Sequence, residues 1–324
     1  MRGVVVENPG PDHSLTVAEV PTPRPGPGEV LIQVTAAGVN RADLLQARGK
    51  YPPPPGASDL LGLECSGVVA ELGPNVEGVA VGDQVAALLP GGGYAEFAVA
   101  DAACTFPVQA PLALADAGAA PESACTVWSN FVEAGYTPGS PVLIHGGAGG
   151  VGSMAIRLAA ALGSPVFATA GGADRAQACQ ALGAARGIDY KTEDFAEVVL
   201  AGTQHRGVDL VLDVVGGPYL EPNLRALAPG GTVIVIGLMG GATAEVNLGR
   251  MLNKRHRVMA TNLRGRSVQQ KAVIGRAVRH DVWGLVMDGR AAPVIGARFP
   301  MANAAAAHAA MRAGDVIGKI LLTW

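Results

Sequence analysis

The sequence predicts an α/β protein in which a doubly wound parallel sheet is inserted into an irregular, mostly β outer domain. Three observations carry this. A glycine-rich run, Pro-Val-Leu-Ile-His-Gly-Gly-Ala-Gly-Gly-Val-Gly at 141–152, joins a short apolar strand to a helical segment. After it, short apolar runs alternate with helical segments, the pattern of a parallel sheet covered on both faces. Before it, the chain is rich in proline and turn signals and carries only short strand-like pieces.

Taken in order, the outer domain opens on Pro21, Pro23, Pro25 and Pro27 and the run Pro52 to Pro55, with strands expected at 30–35 and 66–72. Gly73-Pro74-Asn75 and Gly82-Asp83 punctuate it as turns. Residues 142–144 read as the first buried strand of the inserted sheet, and 154–162 as a helix stopped by Gly163. Between them, Gly147, Gly149 and Gly152 stand at the spacing of a dinucleotide-binding turn. The first is expected to allow the tight turn, the second to let backbone approach a pyrophosphate, and the third to let helix and strand pack closely. Gly150 and Val151 complete the turn, where free N–H groups and the helix dipole favour negative charge.

Further strands are expected at 165–170, at Ile188-Asp189-Tyr190, at 208–215, at 231–237 and at 255–261, with a helix at 173–182. The last apolar piece, 318–323, follows the completed sheet and is expected to return to the outer domain. The expected bounds are 1–122 with 266–324 for the outer, substrate domain and 123–265 for the cofactor domain, with the cofactor between them. The alanine-rich tract 302–310 is helix-forming and carries no visible chemistry.

Composition narrows the classes. A net charge of −3 without any basic run argues against nucleic acid as a partner. No apolar stretch is long enough for a membrane span, and Met1-Arg2-Gly3-Val4 runs into a strand rather than a signal peptide. Cys65, Cys104, Cys125 and Cys179 are scattered without paired spacing, which suggests thiols in a reducing, cytoplasmic compartment.

These residues together resemble the medium-chain dehydrogenases and reductases, and within them the zinc-free quinone oxidoreductases that include zeta-crystallin. The resemblance rests on Gly38-Val39-Asn40-Arg41-Ala42-Asp43-Leu44, Gly49-Lys50-Tyr51-Pro52, Gly62-Leu63-Glu64-Cys65-Ser66-Gly67, the loop at 145–152, Asp213-Val214-Val215-Gly216-Gly217 and Gly318-Lys319-Ile320. It implies a GroES-like outer domain and a Rossmann cofactor domain. Zinc members of the superfamily carry a cysteine where this chain has Asn40 and a histidine where it has Leu63; near the third ligand position only Cys125 offers a thiol. One thiol cannot replace the usual three protein ligands of a catalytic zinc, so no metal is expected. Without a Lewis acid the sequence favours an activated acceptor, a quinone or an alkene conjugated to a carbonyl, reduced by positioning and hydrogen bonding.

The resemblance places Asn40, Asp43, Tyr51 and Thr126 near the nicotinamide. Asp43 reads equally as a turn or capping acid, Tyr51 as a lid or as a donor to a quinone oxygen, and Thr126 as an ordinary helical threonine. Glu64 reads as a buried, hydrogen-bonded carboxylate with a structural role. Gly237 and Lys319 are implied as further cofactor contacts. The second strand ends in Thr169-Ala170-Gly171-Gly172, without the acid that NAD sites use for the ribose, so NADPH is expected. Arg175 is the expected 2′-phosphate partner, or else a solvated helix arginine; the resemblance implies Tyr190 as a second partner, with Asp174 as a helix-capping residue or a competing ribose ligand. The expected activity is NADPH-dependent quinone reduction; an enone reductase and a non-catalytic, crystallin-like NADPH binder are the alternatives. Resemblance and the apolar strand at 231–237 also suggest a homodimer joined near sheet edges.

Overall fold

The computed structural model describes Met1–Trp324, which divides into two compact units. Met1–Cys125 with Leu263–Trp324 form the first, and Thr126–Asn262 the second.

In the first unit, Arg2–Glu7 pairs antiparallel with Ser14–Glu19 as a separate two-stranded sheet. A seven-stranded sheet runs Ile295–Pro300, Lys319–Thr323, Glu29–Val39, Glu64–Leu72, Gln84–Leu88, Thr105–Pro107, with Phe97–Asp101 also paired to Glu29–Val39. The strand Glu29–Val39 is the hub. Its first half holds Phe97–Asp101 and its second half Lys319–Thr323, so the chain's last strand completes the sheet its early strands began. Val30, Ile32, Val34 and Val39 meet Leu61, Tyr94, Ile320 and Leu322 in one buried cluster. The helix Ala304–Ala313 closes this core with Ala304 and Ala307, small residues that allow close approach to the strands.

The second unit is a six-stranded parallel sheet in the order Arg186–Asp189, Val166–Ala170, Val142–Ile144, Val208–Asp213, Leu227–Val235, Arg257–Ala260. The first strand in sequence lies centrally, and the chain order reverses between Val142–Ile144 and Val208–Asp213. Ligands of doubly wound sheets bind outside the carboxyl ends of the strands at such a reversal. The strand at 231–237 begins earlier, at Leu227, and it is not an edge: Arg257–Ala260 covers it and carries the edge itself. The first helix also starts earlier than its apolar pattern, at Gly150, because glycines contribute no hydrophobic signal. No helix is long and apolar enough to cross a membrane.

Candidate active site

In the first unit, Asn40 follows the hub strand and caps the helix Arg41–Ala47. Its amide Nδ2 donates to Glu64 Oε1 at 2.9 Å and to the Gly38 carbonyl at 3.3 Å, while Oδ1 accepts from Lys319 Nζ at 2.7 Å. Lys319 Nζ also lies 2.5 Å from Glu64 Oε1, and the second Glu64 oxygen accepts from the Glu122 backbone N–H at 2.9 Å. Glu64 and Lys319 are almost wholly buried, at 0% and 3% exposure. A buried carboxylate and ammonium are tolerable only when paired and hydrogen-bonded, and here every acceptor has a donor. Glu64 thus occupies the structural place its sequence context implied. Lys319, implied as a cofactor contact, has its ammonium turned onto Asn40 and Glu64.

Asp43 forms a second layer. Its carboxylate accepts from Asn40 N at 2.8 Å, Gly62 N at 3.0 Å and Tyr94 OH at 3.2 Å. Burial pushes its pKa up to about 6 against these donors and the Lys319 charge. Fully enclosed, Asp43 fixes the Asn40 and Gly62 backbone rather than facing an acceptor. Glu122, half-buried in the first turn of Pro121–Ala134, is pushed up to about 8, first by burial and then by the Glu64 charge. Tyr51 is half-buried, with the Arg264 guanidinium 5.2 Å from its ring centre. Arg264 also donates to the carbonyls of Tyr51 and Pro90 and to Gln46 Oε1, tying the segment down. Neither Arg264 nor Glu122 was singled out as a site residue by the sequence.

In the second unit the left-handed position of the glycine turn is Gly146, with φ of +67°, rather than Gly147. Gly147 is required for space instead. A Cβ there would lie 2.8 Å from Cys179 Sγ, and one on Gly152 would lie 2.1 Å from the Gly146 carbonyl. Gly149 is exposed, caps the helix Gly150–Ala161 without a side-chain hydrogen bond, and leaves the first-turn amides of Gly150, Val151 and Gly152 for a ligand. The cradle fits a pyrophosphate.

At the end of Val166–Ala170 follow Gly171 and Gly172, and Tyr190 stands over them: a Cβ on Gly171 would come within 2.7 Å of its hydroxyl. Arg175 is the third residue of the helix Ala173–Ala181 that these glycines start. Asp189 accepts from Gly172 N at 2.8 Å and Lys191 N at 3.1 Å, and these amides hold its carboxyl below the usual range. Gly237 follows Leu227–Val235, close against the Val214 carbonyl. Thr126 sits in Pro121–Ala134, its carbonyl accepting from Asn130.

Sequence reading also missed a buried network at the topological switch. His145 Nδ1 meets Thr169 Oγ1 at 2.9 Å and Nε2 meets Asn223 Oδ1 at 2.7 Å; Asn223 Nδ2 donates to Asp213 Oδ2 at 3.0 Å. The other Asp213 oxygen accepts from Val215 N and Gly216 N. Because the Asn223 oxygen can only accept, His145 carries its proton on Nε2, and burial lowers its pKa. The network locks the ends of adjacent strands without exposing a charge.

The zinc-binding dehydrogenase family profile matches residues 150–277, and that of the alcohol dehydrogenase GroES-like domain matches 26–110. A quinone oxidoreductase of Pseudomonas syringae pv. Tomato is 30% identical, covers 100% of both chains and superposes with a TM-score of 0.85. The chain belongs to the zinc-free quinone oxidoreductase branch of the medium-chain dehydrogenases and reductases. It is an oxidoreductase. The Escherichia coli quinone oxidoreductase solved with NADPH is 27% identical over 100% of this chain and 99% of that one, with a TM-score of 0.84. A mycocerosic acid synthase-like polyketide synthase of Mycobacterium tuberculosis is 33% identical over 98% of this chain. This chain spans 15% of that synthase's length.

The superfamily's zinc does not fit the residues present. The Asn40 oxygen is taken by Lys319, Leu63 is apolar and buried, and burial raises the Cys125 thiol well above its ordinary pKa. No three histidine, cysteine, aspartate or glutamate side chains converge on one point.

Proposed function

We propose that the protein is an NADPH-dependent, zinc-independent reductase that passes hydride from the nicotinamide to a quinone. The observation that carries the zinc-free chemistry is the Asn40–Glu64–Lys319 cluster, in which a side-chain ammonium supplies the positive charge. A quinone accepts hydride without a Lewis acid, so positioning and hydrogen bonds suffice. NADPH supplies the hydride. This chain's part is to bind its phosphates at Gly149–Gly152, to receive the 2′-phosphate at Arg175 and Tyr190, and to keep the acceptor side ordered through Asp43 and Arg264. Tyr51 and Glu122, partly exposed, are the polar groups an acceptor can reach there. The NADPH-bound relative and the missing acid after Ala170 support the cofactor choice.

A second reading has its own support. Polyketide synthases match nearly the whole chain, and an alkene conjugated to a carbonyl is, like a quinone, an activated acceptor that needs only positioning and hydrogen bonds. Following NADPH absorbance with a quinone panel beside an enone and enoyl-thioester panel separates the two. Turnover confined to enones moves the assignment to the second reading, and no turnover with either leaves a binding protein. Elemental analysis tests the metal claim: about one tightly bound zinc per chain would overturn it. We also propose a homodimer through the open edge strand Arg257–Ala260, where Val258 is 40% exposed. Sedimentation as a monomer at micromolar concentration would refute it. All four cysteines are buried free thiols, which supports a cytoplasmic location.

A further inference from the structure

The alanine-rich helix Ala304–Ala313 bears two groups its composition hides. His308 and Arg312 form one wall of a cavity of about 330 Å³ in the first unit, completed by His13, Ser14 and Leu15 from the N-terminal strand pair and by Arg48. That volume suits a small ligand. Arg48 and Arg312 are exposed, and neither forms an ion pair or a side-chain hydrogen bond. His13 uses Nδ1 on the Gly10 carbonyl, at 2.7 Å. His308 is 1% exposed; its Nε2 lies 3.3 Å from Tyr94 OH, and its Nδ1 has no hydrogen-bond partner. Buried polar atoms almost always have partners, so an orphan on a cavity-lining residue beside two unpaired guanidinium groups calls for a partner.

The charge agrees. Burial, then Arg312 and His13, push His308 down to about 4, and no carboxylate offsets them. The cavity is therefore electropositive in a chain of net charge −3, and its imidazole is neutral at neutral pH.

We propose that this cavity binds a small anion, a carboxylate or a phosphate, gripped by Arg48 and Arg312 and hydrogen-bonded by His308 Nδ1–H. The ligand then reaches the candidate active site through one proton position. Tyr94 OH donates to the ionised Asp43 at 3.2 Å, so His308 carries its proton on Nε2 and donates to the Tyr94 oxygen. An anion requires the proton on Nδ1. Nε2 then becomes an acceptor, Tyr94 turns its hydrogen to His308, and Asp43 keeps only the donors Asn40 N and Gly62 N. Occupancy is thereby read at the residue that positions Asn40, without any movement of the backbone.

The test uses full-length protein with ¹⁵N-labelled histidine, titrated separately with inorganic phosphate and with malonate. The expected result is a saturable change in which the His308 Nδ1 resonance moves from an unprotonated to a protonated nitrogen and Nε2 moves the opposite way. Whichever anion binds more tightly identifies the class. Arg48→Gln and Arg312→Gln, both exposed and so compatible with folding, should each weaken binding about tenfold or more, the worth of a charge-assisted hydrogen bond. Tyr94→Phe should leave the anion bound but remove its effect on the Asn40 and Gly62 amide resonances. No saturable shift with either anion, or affinity indifferent to both arginine variants, would overturn the proposal, whatever the protein reduces.

Discussion

Replacing Lys319 with methionine tests the centre of the candidate site. Methionine keeps the length and apolar stem but removes the ammonium that sits 2.5 Å from Glu64 Oε1 and 2.7 Å from Asn40 Oδ1. Glu64, with no exposure, is left with two donors, Asn40 Nδ2 and Glu122 N, and an uncompensated charge. Breaking a buried pair from one side costs about 3–5 kcal/mol. At about 2–4 °C per kcal/mol for a folding unit of this size, the melting temperature should fall by about 6–20 °C. Trp283, stacked on Phe106 and bonded to the Pro107 carbonyl, is a fluorescence probe within the same unit, and urea titration with linear extrapolation gives the free energy. Adding Glu64→Gln removes the stranded charge, so the double variant should recover about 2 kcal/mol or more over Lys319→Met alone, since partners in one network couple by about 0.5–3 kcal/mol. Additivity of the two changes, or a single-variant loss below about 1 kcal/mol, would mean the pair is not the anchor described, since exposed ion pairs contribute about that little.

Three further outcomes are expected. Arg175→Ala should weaken NADPH binding by about 1.5–3 kcal/mol, the scale of a hydrogen bond to a charged group, and leave NADH nearly unchanged. Equal losses for both cofactors by fluorescence titration would reduce Arg175 to a structural role. Glu122, held at about 8, binds a proton in the folded state that the unfolded chain releases near its ordinary pKa of 4.5, so stability should decline as pH rises between these values. Glu122→Gln should flatten that decline, and an unchanged slope in pH-dependent unfolding would refute the assignment. His145→Leu leaves Thr169 and Asn223 without their partner and should cost about 1–3 kcal/mol for each group left unsatisfied. Thermal melts showing no loss would mean that water replaces the ring.

The inserted sheet was legible because its strands are short, apolar on both sides and separated by glycine stops; Val142–Ile144 and Val166–Ala170 are buried at every residue. Helix starts were less so, as at Gly150, where glycine replaces the apolar period. The acceptor-side cluster was only half legible. Asn40 and Asp43 lie within one local motif, but Lys319 reaches Asn40 across 279 positions, through the pairing of Lys319–Thr323 with Glu29–Val39. Arg264 likewise meets Gln46, Tyr51 and Pro90 from a distant segment that has no motif of its own. Local chemistry can be read from spacing, whereas contacts made by strand register over such separations cannot.

The crowding at Gly171 constrains how this chain's descendants could change cofactor. The ordinary route to an NAD-type ribose site is a single acid after the second strand. Here Asp189 Oδ1 accepts from both Gly172 N and Lys191 N, so the acid already near this loop has a structural role. A new acid at 171 would bring its Cβ within 2.7 Å of the Tyr190 hydroxyl. Gly171→Asp alone must therefore displace the phenol, and Tyr190→Ala alone only removes a proposed phosphate contact. Tyr190 is 46% exposed and the contact is with the free end of its side chain, so the phenol can swing aside, and with it would go the contact proposed for the phosphate. One substitution at 171 would thus act twice, adding an acid for a ribose and moving the tyrosine proposed to meet a phosphate.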